Sequence, residues 1–251
     1  MSVPFAAFGP GIVVVQNTTQ AVPAPVNIGY AQELTVDLSA TNKELFGQNI
    51  YPLVVARGTA KATGKIKAAT LSGRAWNAAF FGTTMNAGGF AWNVGEQHTL
   101  AATTQQVTNH TTFDVDLGVT YQATGLPLGR VAAGSETTGY YSVSYSTGIY
   151  TLSISDSTSS LLFTYTDTVT TGESLTIPNV ALGTTPVFQL DYYTNLNQPS
   201  ARPFAIRLYA CVASKLSLAT KLEDFVMPEI DFSFFANAAG NVLEYVFPEL
   251  S

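Results

Sequence analysis

The chain has 251 residues, of which 46% are hydrophobic and only 11% charged, with a net charge of −6. That hydrophobic content excludes a disordered chain, which combines low hydrophobicity with high net charge. The acidic balance excludes a global basic footprint for gripping nucleic acid and a polybasic membrane face.

Thr, Ser, Asn and Gln supply the polarity that charge does not, and a surface of this kind suits packing against copies of itself. The length fits one all-β domain or two small ones. Cys211 is the only cysteine, so no intrachain disulfide and no Cys-based metal site can form. Its neighbours Tyr209, Ala210 and Val212 are apolar, and it reads as a buried small hydrophobe.

Residues 1–29 hold Pro4, Pro10, Pro23 and Pro25 and are expected to form an extended N-terminal arm with one short β-like run, Ile12 to Val15. They lack a basic leader and a continuous apolar stretch, and no run approaches the ~18 residues of a membrane span. The expectation is synthesis in the cytoplasm without classical export. Residues 30–40 alternate, with Leu34, Val36 and Leu38 on one side and Glu33, Thr35 and Asp37 on the other. Period-two alternation predicts a strand with one buried and one wet face. Small and basic residues alternate from Ala56 to Lys65, which predicts strands with an exposed basic loop.

Leu71, Ala75, Trp76, Ala79 and Phe80 recur at helical spacing and predict one helix over about 70–82, capped by Thr70 or Ser72 and stopped by Gly82. From about residue 94 to 210, short Thr-rich and aromatic runs separated by turns predict strands. Tyr141 to Tyr145 and Tyr150 to Ile154 flank Ser146-Thr147-Gly148 and read as a hairpin. Further strands are expected at Ala205 to Ala213, Ile230 to Phe235 and Val242 to Val246. The fold class is therefore mainly β, a β-sandwich or barrel with one flanking α-helix. Residues 30–251 are expected to form one domain, with 95–205 as an elaborated outer region.

Catalytic groups are few. His98 and His110 are the only histidines, and the His-Glu-x-x-His zinc pattern is missing. Gly58 to Lys65 imitates a phosphate loop, but five residues separate the glycines and Ile66 stands where a Ser or Thr is needed. No Gly-x-Ser-x-Gly elbow occurs. Asp114 and Asp116 share one strand face and read as a solvated face rather than as a catalytic pair. The chain is read as a non-enzyme without cofactor or metal.

Charge is segregated. Lys43, Arg57, Lys61, Lys65, Lys67 and Arg74 are six of the eleven basic residues. Glu223, Asp224, Glu229, Asp231, Glu244 and Glu249 form an acidic stretch with no basic residue between them. Either copies join head to tail through the two segments, or the segments pair within one subunit.

Gly29-Tyr30, Glu33-Leu34, Val36-Asp37, Lys43 to Asn49, Tyr51-Pro52, Ala56-Arg57-Gly58 and Phe80-Phe81-Gly82 together resemble the major tail tube proteins of tailed bacteriophages. The stretch Lys221 to Phe225, Pro228, Asp231-Phe232 and Ala239 to Val242 is similar to the same group. The resemblance implies homo-oligomeric rings, commonly hexameric, that stack into a conduit for the phage genome in the virion tail. Inner strands would close into a continuous barrel, and long loops and terminal arms would bind the next ring. The implied partners are copies of the chain, tail tip or baseplate, tape measure and terminator proteins, and DNA in transient, non-specific passage, with no membrane. Within that frame Glu33, Thr35, Asp37, Asp114 and Asp116 are candidates for the lumen wall. Lys43, Arg57, Lys61, Lys65, Lys67, Glu223, Asp224, Glu229 and Asp231 are candidates for the contact between rings. Other readings are a head decoration or tail terminator protein, a carbohydrate-binding or adhesin-like module, and a hydrolase on a β-scaffold.

Overall fold

The computed structural model describes residues 11–194, 204–220, 222 and 225–247, and it is mainly β. The strands are β1 Gly11–Asn17, β2 Pro25–Phe46, β3 Pro52–Ala68, β4 Asn86–Thr99, β5 Thr104–Gln106, β6 Phe113–Tyr121, β7 Gly129–Arg130, β8 Tyr140–Ser144, β9 Ile149–Leu152, β10 Ser160–Ser174, β11 Phe188–Thr194, β12 Phe204–Ser217, β13 Glu229–Phe234 and β14 Leu243–Val246. One helical segment, α1 Gly73–Trp76, continues as a π-turn through Asn77–Phe81. Two compact units result: residues 1–84 with 175–251, and residues 85–174. Most of the stretch expected as an elaboration of one domain, up to residue 174, thus belongs to a unit with its own core, and the chain returns to the first unit from residue 175, pairing there as β11.

In the first unit the antiparallel order is β11-β1-β2-β3-β13-β12, and β11 pairs again with β12. The sheet therefore closes on itself as a six-stranded barrel, with β14 added beside β12. Closure leaves an interior filled by side chains. Val13, Val15, Ile66, Phe188, Leu190, Leu208, Ile230 and Phe232 fill it. Ala75, Ala78 and Ala79 of the helical segment join the same cluster, and their small side chains let the helix lie close to the strands. The Ser72 hydroxyl accepts from the Ala75 amide at 3.3 Å, and Gly82 ends the segment at φ 66°, as the cap residues predict.

The expected N-terminal arm is corrected for its described part. β1 sits between β2 and β11, and Gly11, Val13, Val15 and Asn17 all face the core. The β-branched run Ile12 to Val15 fits a half-buried pleated surface, and Pro23 and Pro25 mark only the turn into β2. Residues 1–10 lie outside the described residues.

The second unit has a three-stranded sheet β4-β10-β6 and a four-stranded sheet β5-β9-β8-β7. Phe163, Tyr165, Tyr150, Tyr141, Leu161 and Val119 are among the residues of its core. β8 and β9 form the expected hairpin in the register Ser144 to Ile149, with Gly148 at φ 59° in the turn.

Candidate assembly surfaces

β2 and β3 form one long hairpin, and its two halves differ in cover. Near the barrel, β1 pairs with β2 only through Ala31, and β13 pairs with β3 only over Thr63 to Lys67. From Leu38 to Phe46 and from Pro52 to Ala62, each strand is paired to the other alone among the described residues. This outer ribbon extends roughly 27 Å at about 3.3 Å per residue. Both of its edges are open rows of backbone donors and acceptors. Leu38, Leu45, Phe46, Ile50, Tyr51, Leu53, Val54 and Val55 are exposed, Ile50 at 91%. Leu38 was expected to be buried with Leu34 and Val36. It is 58% exposed because the ribbon has left the barrel at that point.

The wet face of the hairpin root carries an ordered charge pattern. Cross-strand partners share a face, and the register sets Glu33 beside Lys67 and Glu229, then Thr35 beside Lys65 and Asp231. Asp37 lies opposite Thr63, and Ser39 lies opposite Lys61. Lys67 Nζ donates to Glu33 at 2.6 Å, and Lys65 Nζ meets Glu229 at 2.7 Å. Lys215 of β12 reaches Glu229 at 3.7 Å and Asp231 at 3.9 Å. The Lys67 hydrogen bond holds Glu33 below the ordinary carboxylate range. The Lys65 hydrogen bond does the same to Glu229, and in return raises Lys65.

Two expectations change here. Lys65, Lys67, Glu229 and Asp231, candidates for contact between copies, are engaged inside one chain: Lys65 with Glu229 joins the two charge segments within the subunit, while Lys67 pairs with Glu33 and Asp231 with Lys215. The face of Glu33, Thr35 and Asp37 is not acidic either. Four carboxylates (Glu33, Asp37, Glu229, Asp231) stand on it with four lysines (Lys61, Lys65, Lys67, Lys215), and it is neutral. Lys43, Arg57 and Lys61 lie on the outer ribbon, exposed, opposite Ala56, Asn42 and Ser39. Glu223 and Asp224 lie outside the described residues.

Asp114 and Asp116 do not share a wet face. Asp116 is 8% exposed and accepts from Tyr141 Oη at 2.7 Å, Tyr150 Oη at 3.0 Å and the Gly118 amide at 3.0 Å, with Arg130 at 3.5 Å. Burial, reinforced by this carboxylate, pushes both tyrosine hydroxyls well above their usual range. Asp114 is exposed and accepts from Thr166 Oγ1 at 3.1 Å. The register of β6 against β10 slips on either side of Val115 and Asp116, so simple alternation fails and Asp116 turns inward. A lumen role for Asp116 is therefore overturned.

His98 is held by Glu96 at 2.5 Å and Gln105 at 3.0 Å, and His110 Nδ1 lies 3.2 Å from the Val107 carbonyl. Glu96 also accepts from Tyr165 Oη, whose hydroxyl is pushed up to about 12 by burial and then by this bond. These bonds tie β4 to β5 and β10, and Glu96 also accepts from the Thr108 amide and hydroxyl in the loop after β5. Among the described residues, no group of three or more His, Cys, Asp or Glu is placed to hold a metal ion. Cys211 is buried, which raises its thiol to about 12.

The exposure of the apolar ribbon residues was not expected from the sequence. Leu53-Val54-Val55 was the available signal, since consecutive apolar residues on a strand cannot all face one core. No family model matches the chain, and no curated protein matches it.

Proposed function

We propose that this chain is a virion structural protein whose copies form rings that stack into a tail tube, through which the genome passes. The observation that carries the reading is the outer ribbon of residues 38–62, apolar, exposed on both faces and open along both edges. An isolated two-stranded hairpin is marginal in water, and exposed edges and apolar patches of this size mark interaction sites. Ribbons from neighbouring copies can complete each other's edges by strand addition. Lys43, Arg57 and Lys61 remain candidates for the contact between rings, since they sit on the ribbon.

The neutral face around Glu33, Thr35 and Asp37 suits a lumen wall. A basic wall would bind phosphate by releasing counterions and hold the DNA. A face that carries as many carboxylates as lysines offers no such net attraction.

Electron microscopy of the purified chain tests the reading. Rings or tubes with an open lumen are expected as concentration rises. A dispersed monomer at high concentration, even after nucleation with tail tips, would overturn it.

A further inference from the structure

Trp92 of β4 lies opposite Thr166 of β10, which lies opposite Val115 of β6, so the three share one face of the sheet β4-β10-β6. Phe90 and Val94 stand two residues to either side of Trp92 and project the same way. All four apolar side chains are exposed, Trp92 at 63%, although outward positions of a packed sheet are ordinarily polar. Asp114 stands at the same face, exposed, and its carboxylate accepts from Thr166 Oγ1 at 3.1 Å. This charge decides what can cover the face. A wholly apolar partner would bury the carboxylate without compensation, which is costly. The same face of another copy would set carboxylate against carboxylate. The occupant must be apolar and must bring a cation.

The outer ribbon has both properties. Lys43 lies opposite Ala56, and Leu45 lies opposite Val54, so these four exposed residues share one face of it. Glu44 lies opposite Val55 on the other face. Among the described residues, neither Lys43 nor Asp114 takes part in an ion pair.

We propose that the ribbon of one copy lays its Lys43, Leu45, Val54 and Ala56 face on the β4-β10-β6 face of a copy in the next ring, with Lys43 meeting Asp114. This rests on the reading that copies assemble into stacked rings. The two surfaces are different, so the contact is heterologous, and a heterologous contact that does not close runs on as a stack. A two-stranded ribbon laid on a sheet packs as sheet on sheet, with the apolar side chains of both interdigitated. One such contact is weak, but a ring presents it once per subunit and the repeats act together.

The test uses the full chain and a charge exchange, read by sedimentation. Lys43→Glu and Asp114→Lys each raise the concentration at which assemblies appear several-fold, and the chain carrying both returns it to near that of the parent. In assemblies mixed from Leu45→Cys and Val94→Cys chains, distinguished by mass, a short bis-maleimide links one kind to the other. Glu44→Cys, on the other ribbon face, gives no links to Val94→Cys, and Cys211 is buried and does not compete. Assemblies whose onset ignores both reversals and that give no mixed links overturn the docking and leave the assembly reading standing. Reversals that weaken assembly without restoring it together overturn the pairing of Lys43 with Asp114. A chain monomeric at every concentration overturns both readings. Trp76 and Trp92 are the only tryptophans, so Trp76→Phe leaves Trp92 as the sole reporter. Shielding of Trp92 from acrylamide only after lipid vesicles or an oligosaccharide are added overturns the docking in favour of that occupant.

Discussion

Residues 31–36 and 38–46 belong to the same strand, and both are laddered to β3, yet only the first stretch is covered. At the root, Leu34 and Val36 rest against the barrel core and Glu33 is bonded to Lys67. Beyond Leu38 the ladder continues with none of the described residues covering either face, and Phe46, Ile50 and Tyr51 stand in solvent. The ladder between β2 and β3 runs through both halves, so it is not what separates them. Burial and pairing are, and the outer half holds those capacities in reserve for a partner.

The largest effect expected from this contrast is on stability. Phe232→Ala, in the packed barrel interior, should cost about 3–5 kcal/mol in chemical denaturation. Phe46→Ala, on the ribbon, should stay within about 0.5 kcal/mol. A similar loss at both positions would break the comparison. The second unit repeats it with two carboxylates of one strand. Asp116→Ala strands two buried tyrosine hydroxyls and should cost about 3 kcal/mol, whereas Asp114→Ala should cost no more than about 0.5 kcal/mol.

Charge reversals sharpen the contrast at a smaller scale. Lys65→Glu sets a carboxylate against Glu229 and Asp231 and should lower the thermal midpoint, by less as salt is added. Lys61→Glu, opposite Ser39, should leave the midpoint unchanged and weaken only assembly. The smallest effect is the pH dependence of the root. Glu33 and Glu229 are held below the ordinary value of 4.5, so their contribution is present above it and is lost as pH falls through their lower folded values. Thermal midpoints measured from neutral to acid pH should fall less steeply in Lys67→Ala than in the parent chain.

Local features were legible in the sequence. The alternation at Leu34 and Val36, the Ser72 and Gly82 caps and the turn at Gly148 each follow from a rule that spans a few residues. What was not legible depends on distant partners. Barrel closure joins β11 to β1 and β12 across the inserted unit, and the ion pairs of Lys65 and Lys67 depend on a register set by β13 and β2. Asp116 was misplaced because two register slips within one strand are invisible to an alternation rule. Phe90, Trp92 and Val94 alternate plainly, but alternation alone does not say whether the apolar side faces in or out.

Leu38 and Ala62 are cross-strand partners, so the ribbon can be removed by deleting residues 39–61 and joining them with an Asn-Gly turn. Sedimentation and electron microscopy of this shortened chain beside the full one test the central claim most directly. The account predicts a folded monomer, with strand content and thermal midpoint near those of the parent, at concentrations where the full chain forms rings or tubes. Rings or tubes from the shortened chain would contradict it.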